Sequence, residues 1–438
     1  MSRAKTIRRM LAIAAPNYLP NPQVEAISLP HHFSTLLKIP WVRTHMFHHG
    51  CELFKLETYR KMQSTLMNGG GGQIKNTIHD LIPFIRRESQ ENSVTGQQLQ
   101  QLLNLMAQEI RAATLSAGQP MTIFNQKLPL YRWIFILISY ISSVDIGLDV
   151  RFFVDRLLQI YIDANSQRVN LIPRIITDPI EFEVLEMLRD YIDCVKVNYE
   201  QLFGTTKRTI VMTPTLREPI DLPSLPPIHD KNLLIRGLMH RETYRALLRS
   251  NHPFGNRLLE LGYGLDPRNY NVLKFEFSFF DGMGDFFLAH EALVLLYELY
   301  DKSRLSEMRC HLYHMLRLIL GTNTLLAKLA FAYGLHQGIL DDELNGVIRK
   351  EYIPTYGSMS SKQNDDERVY QEEFLGDYFE AYVGALFWEQ PKVAAEFVRA
   401  IYHNVLEAIT KQLPPDISYS HWTWNVIGRS LVDKRTYN

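Results

Sequence analysis

The sequence predicts an all-α protein, and two observations carry that prediction. Apolar residues recur every three or four positions over long stretches, among them 41–66, 96–113 and 369–389, which is the pattern of amphipathic helices. Glycines also stand where helices end or pack closely, as Gly334 does after one such stretch and Gly384 does inside another. The 438 residues are enough for two or three domains, and because 46% of them are hydrophobic, each domain can have a core of ordinary size.

Charge and cysteine content exclude several classes of protein. The 47 basic residues balance 47 acidic ones, so a nucleic-acid partner would need a local basic patch. Three widely spaced cysteines make no disulfide framework and indicate a reducing compartment. The most apolar run, residues 133–144, is shorter than the roughly 20 residues that span a bilayer. We therefore expect no membrane segment.

The first 25 residues form a basic tail in which no acidic residue precedes Glu25. Such a tail resembles an organellar transit peptide, and the alternative is an ordinary solvated basic tail. We expect a mitochondrial protein on the first interpretation and a nuclear or cytoplasmic one on the second. Residues 26–205 follow as a helical N-terminal region whose function the sequence does not indicate.

Six residues of zinc-ligand type lie close together early in that region. Their spacing matches no standard zinc finger, and no second cysteine pair is present. A polar surface or an RNA-facing cluster is the alternative to a metal site. The six are His31, His32, His45, His48, His49 and Cys51.

A proline-rich segment, 206–230, separates the N-terminal region from the rest of the chain. It holds five prolines, which is too many for a regular helix and typical of an extended chain. We place a domain boundary there. A second helical domain is expected over 231–412, followed by a C-terminal tail over 413–438.

Two short acidic elements lie in that second domain. Asp281 and Asp285 are spaced i,i+4, and Asp377 and Glu380 are spaced i,i+3, so each pair shares one face of a helix. If the two helices pack together, four carboxylates would repel one another unless a cation lay between them. Oxygen ligands favour a hard ion, Mg²⁺ or Mn²⁺. The alternative is two amphipathic helices whose acids face water.

The order of elements in 231–412 resembles the ribonuclease III endonuclease domain. Residues 280–288 are similar to the family's signature helix, Leu-Glu-Phe-Leu-Gly-Asp followed by apolar residues. Residues 377–386 match the pattern Asp-x-x-Glu-Ala-x-x-Gly-Ala-Leu. Residues 233–240 look like the family's first helix, and 323–335 like its middle helix. Four elements in order make the resemblance specific, and it covers about two fifths of the chain.

The resemblance implies a mechanism for the acidic elements. In the family, four acids bind a divalent metal that activates water for attack on an RNA phosphodiester. Asp281, Asp285, Asp377 and Glu380 fall on those four positions, and among them Asp285 and Glu380 are the candidate catalytic residues. The implied substrate is double-stranded or structured RNA. The implied assembly is a homodimer, or a heterodimer with another RNase III-like domain.

Several positions depart from the family pattern. Asp281 replaces the Glu that the family usually has, and Gly282 replaces a bulky aromatic residue. Ser278 stands where active members carry a further Glu. Lys328 stands where many members carry an acid. Only 26 residues follow Gln412, so we expect no double-stranded RNA-binding domain there. These departures leave open a catalytically inactive RNA-binding scaffold, such as a protein of the mitochondrial large ribosomal subunit or a partner subunit of an RNA-processing complex.

Arginines ahead of the signature helix are candidate phosphate contacts. Ordinary solvated arginines are the alternative interpretation. They are Arg241, Arg245, Arg249 and Arg257.

Overall fold

The computed structural model describes residues 23–66, 71–90, 93–165, 179–212, 218–242, 252–260, 271–302, 310–356 and 365–411. Most of these residues lie in helices, and the few strands are mostly short. The predicted all-α class is therefore confirmed. Both tails that the sequence predicts, apart from residues 23–25, lie outside the described residues.

The chain divides into two compact units. The first comprises residues 1–58 and 76–171, and the second comprises 59–75 and 172–438. The predicted linker, 206–230, falls within the second of these units. The domain boundaries proposed from the sequence stay a prediction.

The first unit consists of helices and one two-stranded sheet. Its elements are β1 (Gln23–Pro30), α1 (His31–Leu37), α2 (Pro40–Leu66, to Thr58), α3 (Gly71–Glu88, from Asn76), α4 (Val94–Ser116), β2 (Met121–Pro129), α5 (Leu130–Ser143) and α6 (Val150–Ala164).

Strand β1 corrects the expectation that the helical region begins at residue 26. It pairs antiparallel with β2, from Gln23 opposite Pro129 to Pro30 opposite Met121. The local sequence alternates, with Ile27 and Leu29 buried and Ala26 exposed, and period two is the pattern of a strand. The run is too short for that alternation to be separated from a helical pattern by sequence alone.

Helix α5 is the core of the first unit. Its residues Trp133 to Ile138 are almost completely buried, which explains why the run is apolar on every side. Gly50 of α2 lies directly against the carbonyl group of Phe135, where a side chain would collide with the backbone. A glycine is therefore required at this helix crossing.

The second unit contains the remaining elements. These are α7 (Pro179–Cys194), β3 (Lys196–Val197), α8 (Tyr199–Phe203), β4 (Thr209–Ile210), β5 (Ile220–Asp221), α9 (Lys231–Gly237), α10 (Pro253–Glu260), α11 (Asn271–Lys302), α12 (Cys310–Leu320), α13 (Asn323–Tyr333), a 3₁₀ turn (Leu335–Gln337), β6 (Ile339–Leu340), α14 (Asp342–Val347), a π turn (Ile348–Tyr352), α15 (Asp365–Glu389) and α16 (Pro391–Lys411).

Helices α11 and α15 form the central pair of this unit, and α9, α13 and α16 pack around them. Two glycines set how closely the central pair approaches. Gly284 of α11 faces the backbone carbonyl of Glu380, and Gly384 of α15 faces the carbonyl of Phe280. A methyl group at either glycine would collide with the opposite backbone, so the two helices touch backbone to backbone at this point.

The proline-rich segment is extended where the structure describes it. Its strands β4 and β5 pair antiparallel, and further along it the carbonyls of Pro223 and Pro226 accept hydrogen bonds from the hydroxyls of Tyr333 and Tyr382. The carboxylate of Glu389 then accepts hydrogen bonds from the backbone amides that precede α9. Residues 223–230 of the segment are therefore held against helices of the second unit by these hydrogen bonds.

One described stretch, Tyr313–Tyr333, is long and apolar enough to cross a membrane, and 61% of its most apolar window is buried inside the protein. The stretch is also divided between α12 and α13. Thr322 caps the second helix, because its side-chain hydroxyl accepts a hydrogen bond from the amide of Leu325. Core helices of a folded domain have these properties.

Candidate metal centre

Three carboxylates meet where α11 and α15 cross. They belong to Asp281 on α11 and to Asp377 and Glu380 on α15, and one oxygen of each lies within 4.8 Å of the others. All three side chains are buried. The backbone contacts of Gly284 and Gly384 bring the helices close enough for this, because Gly284 lies about one helical turn from Asp281 and Gly384 about one turn from Glu380.

The pKa of Glu380 is raised because this side chain is buried close to the other acids. Burial raises that pKa well above its usual value, and the charges of Asp285, Asp281 and Asp377 raise it further. Buried like charges are costly unless a proton or a cation neutralises them. The site therefore favours positive charge in its centre.

Arg241 supplies one positive charge directly. Its Nη1 lies 3.0 Å from Oδ2 of Asp281 and its Nη2 lies 2.7 Å from Oδ2 of Asp377, so one guanidinium bridges the two helices. Arg241 is therefore not an ordinary solvated arginine, and its role as a phosphate contact stays a prediction. Arg257 is exposed on α10, whereas Arg245 and Arg249 lie outside the described residues.

His240 also contacts the carboxylate of Asp377, through a hydrogen bond. Burial, with the neighbouring Arg241 charge, lowers the pKa of this histidine to about 3, so its ring is neutral at physiological pH. Its Nδ1 accepts a hydrogen bond from the amide of Glu242, which assigns the ring proton to Nε2. Nε2 therefore donates to Oδ2 of Asp377 at 3.0 Å.

Asp285, the fourth predicted ligand, does not belong to the group of three. It lies one helical turn beyond Asp281 and is only half-buried, yet its charge contributes to the raised pKa of Glu380. The hydroxyl of Tyr402 lies near the same acids. Burial and then the charges of Glu380, Glu291 and Asp285 raise its pKa, and the hydroxyl has no hydrogen-bond partner among the described residues.

Tyr59 is a neighbour of the site that sequence reasoning missed. Its hydroxyl donates to the carbonyl of Phe279 at 2.8 Å, and its ring stacks on that of Phe279. A methyl group at Gly282 would lie 2.7 Å from the Tyr59 hydroxyl oxygen. The glycine that departs from the family pattern therefore makes room for an aromatic ring from a distant part of the chain, and no local motif could have indicated that.

The two other departures from the pattern have different surroundings. Ser278 is half-buried at the start of the acidic stretch of α11. Lys328 donates a hydrogen bond to the carbonyl of Val211 at 3.1 Å and lines a cavity together with Arg368 and Glu372.

The histidine and cysteine cluster of the N-terminal region does not assemble as a metal site. Among the residues that the structure describes, only Asp281, Asp377 and Glu380 bring three possible ligand atoms together. His49 instead hydrogen-bonds Ser139 through Nδ1 at 2.8 Å, and His31 hydrogen-bonds Thr122 through Nδ1. His45 and His49 are buried, so they are core residues of the first unit rather than parts of a polar surface.

The three-carboxylate group fits a hard divalent ion. Its donors are all carboxylate oxygens, which suit Mg²⁺ and Mn²⁺. Their separation of up to 4.8 Å is close to the roughly 4.2 Å across an octahedral Mg²⁺ shell. The guanidinium of Arg241 already contacts two of the three residues, so an ion would compete with it for Asp281 and Asp377.

Comparison with known families agrees with the geometry. The model of the ribonuclease III domain matches residues 281–391, a range that begins at Asp281 and includes all four acids. Neither a curated protein nor a solved structure matches the chain. The chain therefore contains a ribonuclease III domain over residues 281–391.

Proposed function

We propose that this protein is a metal-dependent endoribonuclease that hydrolyses phosphodiester bonds in double-stranded or structured RNA. The observation that carries the proposal is the group of three buried carboxylates whose oxygens lie within 4.8 Å of one another. The ribonuclease III family acts on double-stranded RNA and generally uses divalent metal. Keeping three buried acids together is costly in a protein that never binds a cation there.

In this proposal Asp281, Asp377 and Glu380 hold Mg²⁺ or Mn²⁺, and Asp285 strengthens the preference for a divalent ion through its nearby charge. The ion would supply activation of water and neutralisation of charge on the phosphodiester. We assign Asp285 and Glu380 the catalytic role. Glu380 carries a raised pKa, so loading the site requires loss of any proton it holds.

In this proposal Arg241 neutralises two of the carboxylates, and His240 orients one of them, before an ion binds. The guanidinium of Arg241 neutralises Asp281 and Asp377 until an ion displaces it. The neutral ring of His240 donates to Asp377, and this hydrogen bond fixes the orientation of the carboxylate without adding charge.

The test compares cleavage of a duplex RNA by wild type and by Glu380→Gln, with Mg²⁺, with Mn²⁺ and with a chelator. We expect ion-dependent cleavage by wild type and a loss of about 100-fold or more in the variant, because one ligand becomes neutral. Glu396→Gln is the matched control, since this glutamate is exposed on α16. Purified protein that binds the duplex but cuts it with neither ion would refute the proposal.

A non-catalytic RNA-binding scaffold is the second candidate, and one observation favours it. Arg241 pairs with two of the three carboxylates, so the acids already have a partial structural partner. A scaffold would copurify with a ribosomal particle or an RNA-processing complex and would not cut RNA. The cleavage assay separates the two candidates, because a nuclease cuts RNA as wild type and loses this activity in Glu380→Gln, whereas a scaffold cuts RNA in neither form.

We also propose that the domain works beside a second RNase III-like domain, from the same chain or from another protein, because the family typically dimerises. Sedimentation equilibrium of the purified protein, alone and with candidate partners, tests this.

Mitochondrial location is proposed from the basic, acid-free start of the chain. Fusion of residues 1–25 to a fluorescent protein tests that location.

A further inference from the structure

A cavity of about 580 Å³ lies in the second unit and shares no residue with the carboxylate centre. Its volume is in the range of small-molecule sites. Strand β4, helix α13 and the start of α15 form its walls. The residues that line it are Thr209, Ile210, Val211, Lys328, Phe331, Ala332, Tyr356, Arg368 and Glu372.

Two cations line this cavity. Burial lowers the pKa of Lys328, Glu372 raises it, and the charge of Arg368 lowers it further, so the two cations lie close enough to repel one another. Lys328 donates one hydrogen bond to the Val211 carbonyl. The Nε of Arg368 is buried and has no hydrogen-bond partner in the described parts of the chain. Two neighbouring cations whose N–H groups are not all used in hydrogen bonds favour the binding of an anion between them.

The cavity lining contains one acidic residue, Glu372, whose charge raises the pKa of Lys328. Glu372 accepts a hydrogen bond from the hydroxyl of Thr324 at 2.7 Å, on the α13 side of α15. With Lys328 and Arg368 it leaves the cavity lining at a formal charge of one positive unit. The lining therefore suits an anion better than a neutral ligand.

Aromatic rings form another part of the wall. Phe331 is 42% exposed although it is a large apolar residue. Its ring is parallel to that of His336 at 5.3 Å and tilted against that of Tyr356 at the same distance. An exposed phenyl ring held between two other rings offers a flat apolar face for stacking.

We propose that this cavity binds a nucleoside phosphate, with the phosphate on Lys328 and Arg368 and the base against Phe331. Paired cations beside an exposed aromatic face are the features that proteins use for single nucleotides and for bases of single-stranded RNA. The ligand is a free nucleotide or one nucleotide of a bound RNA strand. Arg368 precedes Asp377, the nearer acid on α15, by nine positions, or about 14 Å along the helix, and no residue of the lining belongs to the carboxylate centre, so the two sites are distinct.

The test measures binding of the four nucleoside monophosphates, of inorganic phosphate and of a short single-stranded RNA by calorimetry, in a buffer without divalent ions. Arg368→Gln and Lys328→Gln should each weaken binding of the nucleotide or the RNA about tenfold. Phe331→Ala should weaken that binding but leave phosphate binding unchanged, whereas Phe331→Tyr should retain both. Lys392→Gln, at an exposed lysine of α16, is the control for charge alone, and thermal melts establish that each variant folds.

The outcomes separate the two sources of ligand. Binding of free monophosphates that is sensitive to Arg368→Gln identifies a nucleotide site. RNA binding with the same sensitivity, in the absence of monophosphate binding, identifies a subsite for an RNA strand. Either result supports the proposal. It is overturned if no probe binds at millimolar concentration, if Arg368→Gln and Lys328→Gln bind like wild type, or if phosphate binds as tightly as the nucleotides and Phe331→Ala has no effect. Because divalent ions are absent, none of these results depends on cleavage.

Discussion

At the scale of single residues, Arg241 determines the charge of the carboxylate centre when no divalent ion is bound. It offsets part of the negative charge of Asp281 and Asp377 through two ion pairs of 3.0 and 2.7 Å. Removing one partner of a buried ion pair is strongly destabilising, by about 3–5 kcal/mol. A divalent ion would replace this interaction with a stronger one, but it must first displace the guanidinium.

Arg241→Gln should therefore lower the stability of the metal-free protein but increase the stabilisation that the protein gains from Mn²⁺. In the presence of a chelator we expect the free energy of unfolding to fall by about 3 kcal/mol. Addition of Mn²⁺ should raise the melting temperature of the variant more than that of wild type, because no guanidinium has to leave. Arg257→Gln, at an exposed arginine, should change stability by no more than about 0.5 kcal/mol. Equal stabilisation of wild type and Arg241→Gln by Mn²⁺ would show that Arg241 does not compete with the ion.

The sequence indicated the acids of the site but not their neighbours, and the reason is distance along the chain. Asp377 and Glu380 are three positions apart on one helix, so a local pattern exposes them. Arg241 reaches Asp377 from 136 positions away, and Tyr59 reaches Phe279 across 220 positions. Contacts of that kind depend on the packing of helices, which periodicity does not determine.

At the scale of helices, the crossing of α11 and α15 brings the carboxylates together. Each helix contributes one glycine, Gly284 or Gly384, that lies against the backbone of the other. The interpretation of Gly384 as a close-packing residue is confirmed by this contact. Its counterpart, Gly284, belongs to the signature helix and has the same function from the opposite side.

Gly284→Ala and Gly384→Ala should each force the two helices apart. We expect a loss of about 3 kcal/mol in unfolding free energy and weaker Mn²⁺ binding, because the carboxylates separate. Gly376→Ala is the matched control on α15, where the nearest atom to an added methyl group is Leu326 Cβ at 3.6 Å. This variant should be neutral or more stable by about 0.5–1 kcal/mol, since alanine is the better helix former. Urea denaturation measures all three, and equal effects at the three glycines would contradict the close-packing account.

An ion pair links α11 to α16 at a distance from the acids. Burial acts to raise the pKa of Glu291, but hydrogen bonds and charges from His290 and Arg399 lower it overall. Arg399 Nε lies 2.6 Å from Glu291 Oε2, and its Nη1 lies 3.4 Å from the more exposed Glu298. The first pair is nearly buried on the glutamate side, whereas the second is close to solvent.

The lowered pKa of Glu291 gives a definite sign to the effect of pH. A carboxyl whose folded pKa is depressed stabilises the protein above its unfolded pKa of about 4.3, and that contribution is lost as pH falls through the folded value. Arg399→Met should thus cost about 3 kcal/mol at pH 7 and less once the pH falls below the lowered folded pKa of Glu291, because the carboxyl is then protonated. Glu298→Gln should cost under about 1 kcal/mol at either pH. A loss in Arg399→Met that is the same at both pH values would mean that the ion pair is not its cause.

At the scale of the whole molecule, the second unit is assembled from two stretches of chain. Residues 59–75 belong to it together with 172–438, so part of the structure around the ribonuclease III domain comes from well before the proline-rich segment. Tyr59 is the clearest case, since it is 2% exposed and packs on Phe279 and Phe286.

Tyr59→Ala should destabilise the full chain by about 3 kcal/mol through the cavity that it leaves. Tyr59→Phe keeps the ring and loses one hydrogen bond to the Phe279 carbonyl, which costs about 1 kcal/mol. Tyr199→Ala is the control, because Tyr199 is 55% exposed. Chemical denaturation of the three variants measures these differences. A Tyr59→Ala protein as stable as wild type would show that the ring beside Gly282 does not support the second unit.

The overall class of the protein was predictable because long amphipathic helices carry a strong periodic signal. The helix around Asp377 and the cap at Gly334, which adopts a left-handed φ of 68°, agree with the prediction. Strands β1 and β2 were missed because a strand of eight or nine residues beside long helices gives only a weak alternation.

Binding of Mn²⁺ to the metal-free full chain, followed by electron paramagnetic resonance of the free ion, tests the central claim most directly. The claim is that Asp281, Asp377 and Glu380 form a divalent-cation site. Wild type should bind Mn²⁺ with an affinity that Glu380→Gln lowers about tenfold or more, while Glu396→Gln leaves it unchanged. Equal binding by wild type and Glu380→Gln, or no binding by either folded protein, would contradict the claim.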